Sequence, residues 1–130
     1  MIPYFKAYLI KQKKIVDVRE INYNLLEIGW RDDDFHDTVS SFDDIKFMHP
    51  TGLKDINGVE IFEGHVVKFK NPYDKRFVAI GVVVWREDKA CFGIDMEGTT
   101  EQFELYRITA EKYLTVIGNI YEDEHLLGEE

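Results

Sequence analysis

Thr51-Gly52-Leu53-Lys54-Asp55-Ile56-Asn57-Gly58-Val59-Glu60-Ile61-Phe62-Glu63-Gly64-His65-Val66-Val67-Lys68-Phe69 decides the fold. Asp55-Ile56-Asn57-Gly58 has the chemistry of a type I turn closed by a left-handed residue. Aspartate suits the first position because its carboxylate bonds the backbone ahead of it. Glycine suits the position where φ is positive. A two-residue turn on Asn57-Gly58 is the alternative. Either gives a hairpin between Leu53 and Ile61. Gly64 then reads as a corner, and His65 to Lys70 as the next strand.

The same grammar continues downstream. Phe77 to Arg86 is the strongest strand of the chain. Val78, Ile80, Val82 and Val84 fall on one side, and Phe77, Ala79, Val83 and Trp85 on the other, with Gly81 among them. Apolar residues on both sides predict that both faces are covered. Gly81 would permit the bend that a small barrel needs. Ala90 to Met96 pairs with this strand across Glu87-Asp88-Lys89, turning Phe92, Ile94 and Met96 inward. Asn71 to Lys75 is a loop, because proline and asparagine break a ladder. Residues 100–112 fit a short helix capped by Thr99 or Thr100 and carrying Phe103, Leu105 and Tyr106. A strand fits nearly as well. Tyr113 to Ile117 predicts a strand, Gly118-Asn119 a turn, and Ile120 to Leu127 one irregular or helical turn.

Upstream, residues 4–9 alternate. Phe5, Ala7 and Leu9 take one side and Tyr4, Lys6 and Tyr8 the other. Ile10 to Lys14 reverses the chain, and Lys14 to Val18 returns it. Tyr23 to Trp30 predicts a third strand, Arg31 to Ser41 an exposed acidic loop, and Ile45 to Met48 a short strand ended by Pro50. A boundary near residues 49–60 divides an N-terminal β-rich part, 1–50, from a C-terminal part, 51–130.

With 130 residues, of which 45% are hydrophobic and 14% aromatic, the chain can bury a core without disulfides or metal. Its single cysteine, Cys91, has no partner within the chain and is expected to be a buried, inert thiol. No run approaches the roughly 18 apolar residues of a membrane helix, and the first residues lack a signal-peptide core. The expectation is a soluble cytoplasmic protein with no membrane contact. The net charge of -9 disfavours phosphate backbones as partners.

The segment Met48 to Phe69 resembles the core of the YopX-like family of small phage and prophage proteins. It carries Thr51-Gly52-Leu53-Lys54-Asp55, Asn57-Gly58 and Glu60-Ile61-Phe62-Glu63-Gly64 at the family's spacing. Phe5-Lys6-Ala7-Tyr8, Gly81-Val82-Val83-Val84-Trp85 and Val116-Ile117-Gly118-Asn119-Ile120-Tyr121-Glu122 extend the resemblance over nearly the whole chain. His65 stands where the family has aspartate, and His49-Pro50 where it has glutamine and an aromatic. The resemblance implies a mostly β protein with an SH3-like barrel over residues 51–130. It also implies a phage or prophage origin, hence the cytoplasm of a bacterial host, and no enzymatic activity.

Four chemistries have candidate residues in the chain. Asp32, Asp33, Asp34, His36 and Asp37 offer metal ligands, but calcium loops need alternating ligands, a glycine bend and a distant carboxylate. A solvated loop is the expectation, with no metal and no cofactor. The twelfth position from Asp55 is Val66, which excludes a calcium loop there. Cys91 with His65 or His49 would need the fold to join them, and Glu60 and Glu63 point to opposite faces of a strand. Tyr4, Lys6 and Tyr8, together with Lys68, Lys70, Tyr73, Lys75 and Arg76, form a basic aromatic candidate face for single-stranded nucleic acid. Phe77 and Trp85 are candidate protein-interface residues. The leading expectation is a non-catalytic protein-binding module whose partner is an unidentified protein or a second copy. A nucleic-acid-binding accessory protein is the alternative.

Overall fold

The computed structural model describes residues 4–70, 73, 76, 78–98 and 102–127. The chain forms two compact units, residues 1–50 and 51–130. Thirteen described strands and one seven-residue α-helix make the protein mostly β.

The first unit holds β1 (Lys6–Leu9), β2 (Lys14–Asp17), β3 (Glu20–Asn22), β4 (Glu27–Arg31), β5 (Asp37–Ser41) and β6 (Ile45–Met48). They form two antiparallel sheets, ordered β2-β1-β6 and β3-β4-β5. The alternation in β1 places Ala7 and Leu9 in a core with Ile28, Trp30 and Ile45. Tyr23 to Trp30 is not one strand. Asn22 breaks it, because its Oδ1 accepts the backbone N–H groups of Asn24 at 3.0 Å and Leu25 at 2.9 Å. Leu26 then turns left-handed (φ 54) and the chain folds back as a β3–β4 hairpin. The acidic stretch Arg31 to Ser41 is not all loop either. Its second half is the edge strand β5, whose inward residues are the small polar Thr38 and Ser40. Ser40 Oγ accepts the indole N–H of Trp30 at 2.9 Å. An edge strand that offers hydroxyls to a tryptophan needs no hydrophobic alternation.

The second unit holds β7 (Pro50–Lys54), β8 (Glu60–Phe62), β9 (His65–Lys70), β10 (Val78–Arg86), β11 (Cys91–Met96), β12 (Gln102–Glu104), α1 (Arg107–Tyr113) and β13 (Leu114–Asn119). β7 and β8 form a ribbon. The others form an antiparallel sheet ordered β12-β11-β10-β9-β13. Ile61, Val67, Val83, Ile94, Ala110 and Leu114 are its core. Among the described residues the sheets stay separate and no barrel closes. The ribbon meets the large sheet through single bonds rather than a ladder. Gly64 N–H donates to Val83 O at 2.8 Å, and Ile56 N–H to Leu114 O at 3.0 Å.

Residues 100–112 combine both expected readings, with β12 first and α1 after it. Thr99 and Thr100, the expected caps, lie outside the described residues. Gly118-Asn119 is not a turn. Both residues continue β13 past a bulge at Val116–Gly118. The reversal comes one step later, where Asn119 Oδ1 accepts the N–H groups of Tyr121 and Glu122.

Gly81 is required for close packing. A Cβ there would lie 2.6 Å from Ile94 Cγ2 and 2.8 Å from the backbone oxygen of Asp95. On the inner face of β10, Val83 is fully buried. On the outer face Ile80, Val82 and Val84 are only half-buried and Val78 is exposed, so that face is covered in part.

The turn at Asp55 joins the ribbon to the sheet. Asp55 Oδ1 accepts N–H of Asn57 at 2.8 Å and of Val59 at 2.9 Å. Its Oδ2 accepts N–H of Val116, in β13, at 2.8 Å. Gly58 takes the left-handed position (φ 80), and its N–H donates to Asp55 O at 3.0 Å, as a type I turn requires. Asp55→Ala strands three backbone donors, each worth about 1–3 kcal/mol when left buried. The variant should lose about 3 kcal/mol or more of stability in urea titration. Asp55→Asn, whose single carbonyl oxygen can still accept the Asn57 and Val59 N–H groups but whose amide NH2 cannot accept the Val116 N–H, should fall between it and the wild type. Gly81→Ala should cost about 1–3 kcal/mol in the same assay, through overpacking against Ile94 and Asp95.

Candidate functional site

The basic aromatic residues distribute over both units. Lys6 and Tyr8 share one side of β1 and Tyr4 precedes the strand, but Lys6 Nζ is held 3.0 Å from Asp17 Oδ1 on β2. Lys68 and Lys70 are exposed on the outer face of β9, and Tyr73 and Arg76 are exposed in the segment that follows. Lys75 and Phe77 lie outside the described residues. Trp85 is half-exposed and packs edge-on against its cross-strand partner Phe92, with ring centroids 5.1 Å apart.

The other polar candidates are occupied by structural bonds. Asp32 Oδ1 accepts the N–H groups of Asp34 at 2.9 Å and His36 at 2.8 Å, which closes the β4–β5 loop. Potential ligand atoms of Asp32, Asp34 and His36 lie within 4.8 Å of one another. The same bond from His36 holds the Asp32 carboxyl below the usual carboxylate range. His65 Nδ1 accepts the N–H of Phe62 at 3.0 Å, and His49 packs edge-on against Phe5. Cys91 is half-buried.

A different feature of the second unit is open. Phe69, Ile94, Met96, Phe103, Tyr106 and Thr109 line an apolar groove of about 340 Å³, with Glu104 at its rim. Alternation in β11 and β12 turns Ile94, Met96 and Phe103 to the same side, and α1 supplies the opposite wall with Thr109. The Tyr106 hydroxyl donates to the Glu104 carboxylate, and that hydrogen bond, followed by the carboxylate's negative charge, raises the phenol pKa above its ordinary value. Phe103 is 43% and Tyr106 59% exposed. An apolar floor with one carboxylate at the lip suits an apolar side chain carried beside a cation or an N–H donor. The sequence signal was the aromatic run Phe103-Glu104-Leu105-Tyr106. The remaining wall comes from other elements, Ile94 and Met96 on β11, Phe69 on β9 and Thr109 on α1, so no single motif marks it.

A mostly β protein of two small units, with scaffolding turns and an open aromatic groove, defines the class. The family model described as YopX protein matches residues 4–128, and the chain belongs to that family. Among solved structures it is similar to protein EF1440 from Enterococcus faecalis, at 22% identity and a TM-score of 0.68. The likeness covers 98% of this chain and 99% of that one, and shows the fold. No curated protein sequence matches.

The lowered Asp32 pKa gives a signed expectation. A depressed folded-state pKa means that the carboxylate's contribution is present above the unfolded value. It is lost as pH falls through the lowered folded value. The Asp32 carboxyl carbon should therefore titrate below a free aspartate by NMR. Exchange of the His36 amide should accelerate across that same low-pH step, and Asp32→Ala should show fast exchange already at neutral pH.

Proposed function

We propose that this protein is a non-catalytic, phage- or prophage-encoded interaction module that binds a partner protein in the host cytoplasm. The groove beside α1 carries this reading. Grooves that leave aromatic rings exposed around a well-formed apolar floor are expected to receive a partner side chain. The chemistry of the occupant follows from the lining: an aliphatic or aromatic anchor over Phe103, Phe69 and Met96, with a basic residue placed to meet Glu104. The excess of negative charge on the whole chain favours the same basic partner. The five-stranded sheet, wrapped on Val67, Val83 and Ile94, acts in this reading as an open form of the SH3-like barrel that family membership suggests. The signature residues Thr51, Asp55, Gly64 and His65 serve to hold that sheet and contribute no chemistry.

Phe103→Lys places a cation over the apolar floor without touching the core. Tagged wild-type protein should retain a partner from infected or lysogenic cells that the variant does not retain. The purified partner should then bind the wild type at least about tenfold more tightly than the variant, since aromatic anchors of this kind dominate interface energies. Equal binding by the two purified proteins would remove the groove from the function.

A further inference from the structure

The outer face of β9 and β10 differs in character from the groove. Lys68 and Ile80 are cross-strand partners, as are Lys70 and Val78. Cross-strand partners share a face, so two lysines alternate there with two branched aliphatic residues. Both lysines are exposed, Val78 is 45% exposed, and neither lysine side chain has a hydrogen bond or ion pair among the described residues. On β9 and β10 this face is apolar and positive, and the carboxylate that borders it on β11, Asp95, is paired with Arg86, on a chain whose net charge is -9. A surface of that kind is complementary to an apolar group bordered by carboxylates.

The chain itself presents such a group. At the tip between β4 and β5, Phe35 is 80% exposed and left-handed (φ 64), an unfavourable conformation for a bulky residue. Asp33 and Asp34 precede it. The Asp33 side chain is fully exposed, with Lys14 only loosely placed at 3.9 Å. The bonds from Asp34 and His36 to Asp32 fix the loop so that Phe35 stands out between acids. Phe35 would seat between Ile80 and Val78, while Asp33 and Asp34 would meet Lys68 and Lys70.

We propose that the Phe35 tip of one copy docks on the Lys68–Lys70–Val78–Ile80 face of a second copy. The inference deepens the reading of the protein as a binding module and rests on it, although it uses a surface other than the groove. The contact joins two different patches, so it is heterologous and runs head to tail. It has one ionic and one apolar component, and salt should weaken the ionic part.

Light scattering behind a sizing column tests it. Wild-type protein should exceed the monomer mass in a concentration-dependent way. The excess should fall when ionic strength rises from about 0.05 to about 0.5 M, where charges are screened within a few ångströms. Phe35→Ser and the double variant Lys68→Glu with Lys70→Glu should each be monomeric. Mixed in equal amounts, these two should form a dimer, because one intact tip then finds one intact face. All altered side chains are exposed, and far-UV circular dichroism checks that each variant folds. A monomeric wild type overturns the proposal, and so does self-association that survives Phe35→Ser. Binding of single-stranded DNA through Lys68 and Lys70 by a monomeric protein would overturn it in favour of a nucleic-acid face. None of these results bears on the groove, because Phe103→Lys leaves tip and face intact and its partner assay is read separately.

Discussion

One carboxylate ties the C-terminal unit together. Asp55 closes its own turn through two backbone N–H groups and reaches β13 through a third. Sixty-one residues separate Asp55 from Val116. A turn residue is usually local in its effect. Here the same side chain shapes the β7–β8 hairpin and positions it on the large sheet. The cost of ordering so long a loop is offset at a point where three donors converge on one group. The Val116 N–H that the carboxylate takes lies at the start of the bulge in β13, where the strand shifts register against β9.

The residues that make the family legible do similar work. Thr51 Oγ1 donates to Ile61 O at 2.7 Å and accepts the Leu53 N–H at 3.1 Å, fixing the start of the ribbon. Gly64 turns left-handed (φ 90) and bonds to both β10 and the chain after β13. His65 occupies the family's aspartate position and still supplies an acceptor, Nδ1, to the Phe62 N–H. A carboxylate and a neutral imidazole nitrogen are interchangeable in that role. Asn119 caps the reversal after β13 with both faces of its amide, since its Nδ2 donates to Glu122 Oε1 at 2.9 Å. Each of these residues answers a backbone need.

The turn at Asp55 was the part of the fold most readable from the sequence, while Gly118-Asn119 read as a turn and is strand. Asp55 to Gly58 is specified by a side chain that bonds its own neighbours, so a short window contains all the information. β10 and β11 were readable because long runs of branched and aromatic residues admit no other element. β5 was not, because its inward positions are Thr38 and Ser40 and its ordering depends on Trp30 in another strand. The β3–β4 hairpin was hidden because Tyr23, Leu25 and Leu26 are apolar yet exposed, so hydrophobicity extended a strand through a turn. The groove was invisible for a further reason. Phe69, Ile94, Phe103 and Thr109 come from four elements, and only pairing order brings them to one wall.

These observations separate what family membership specifies from what it leaves open. The motif residues are consumed in hydrogen bonds that build the scaffold, and they are poorly placed to touch a partner. The exposed aromatic and charged groups lie elsewhere: Phe103, Glu104 and Tyr106 beside α1, Phe35 on a tip, Lys68 and Lys70 on an outer face. A change to a side chain inside the scaffold's bonds costs stability, and a change to an exposed one usually costs little. Members that share the motif would therefore share the sheet, and the motif places no constraint on the exposed groups. Recognition of the fold and recognition of the activity rest on different residues, which is why the most informative stretch of this sequence identifies the architecture and says little about the ligand.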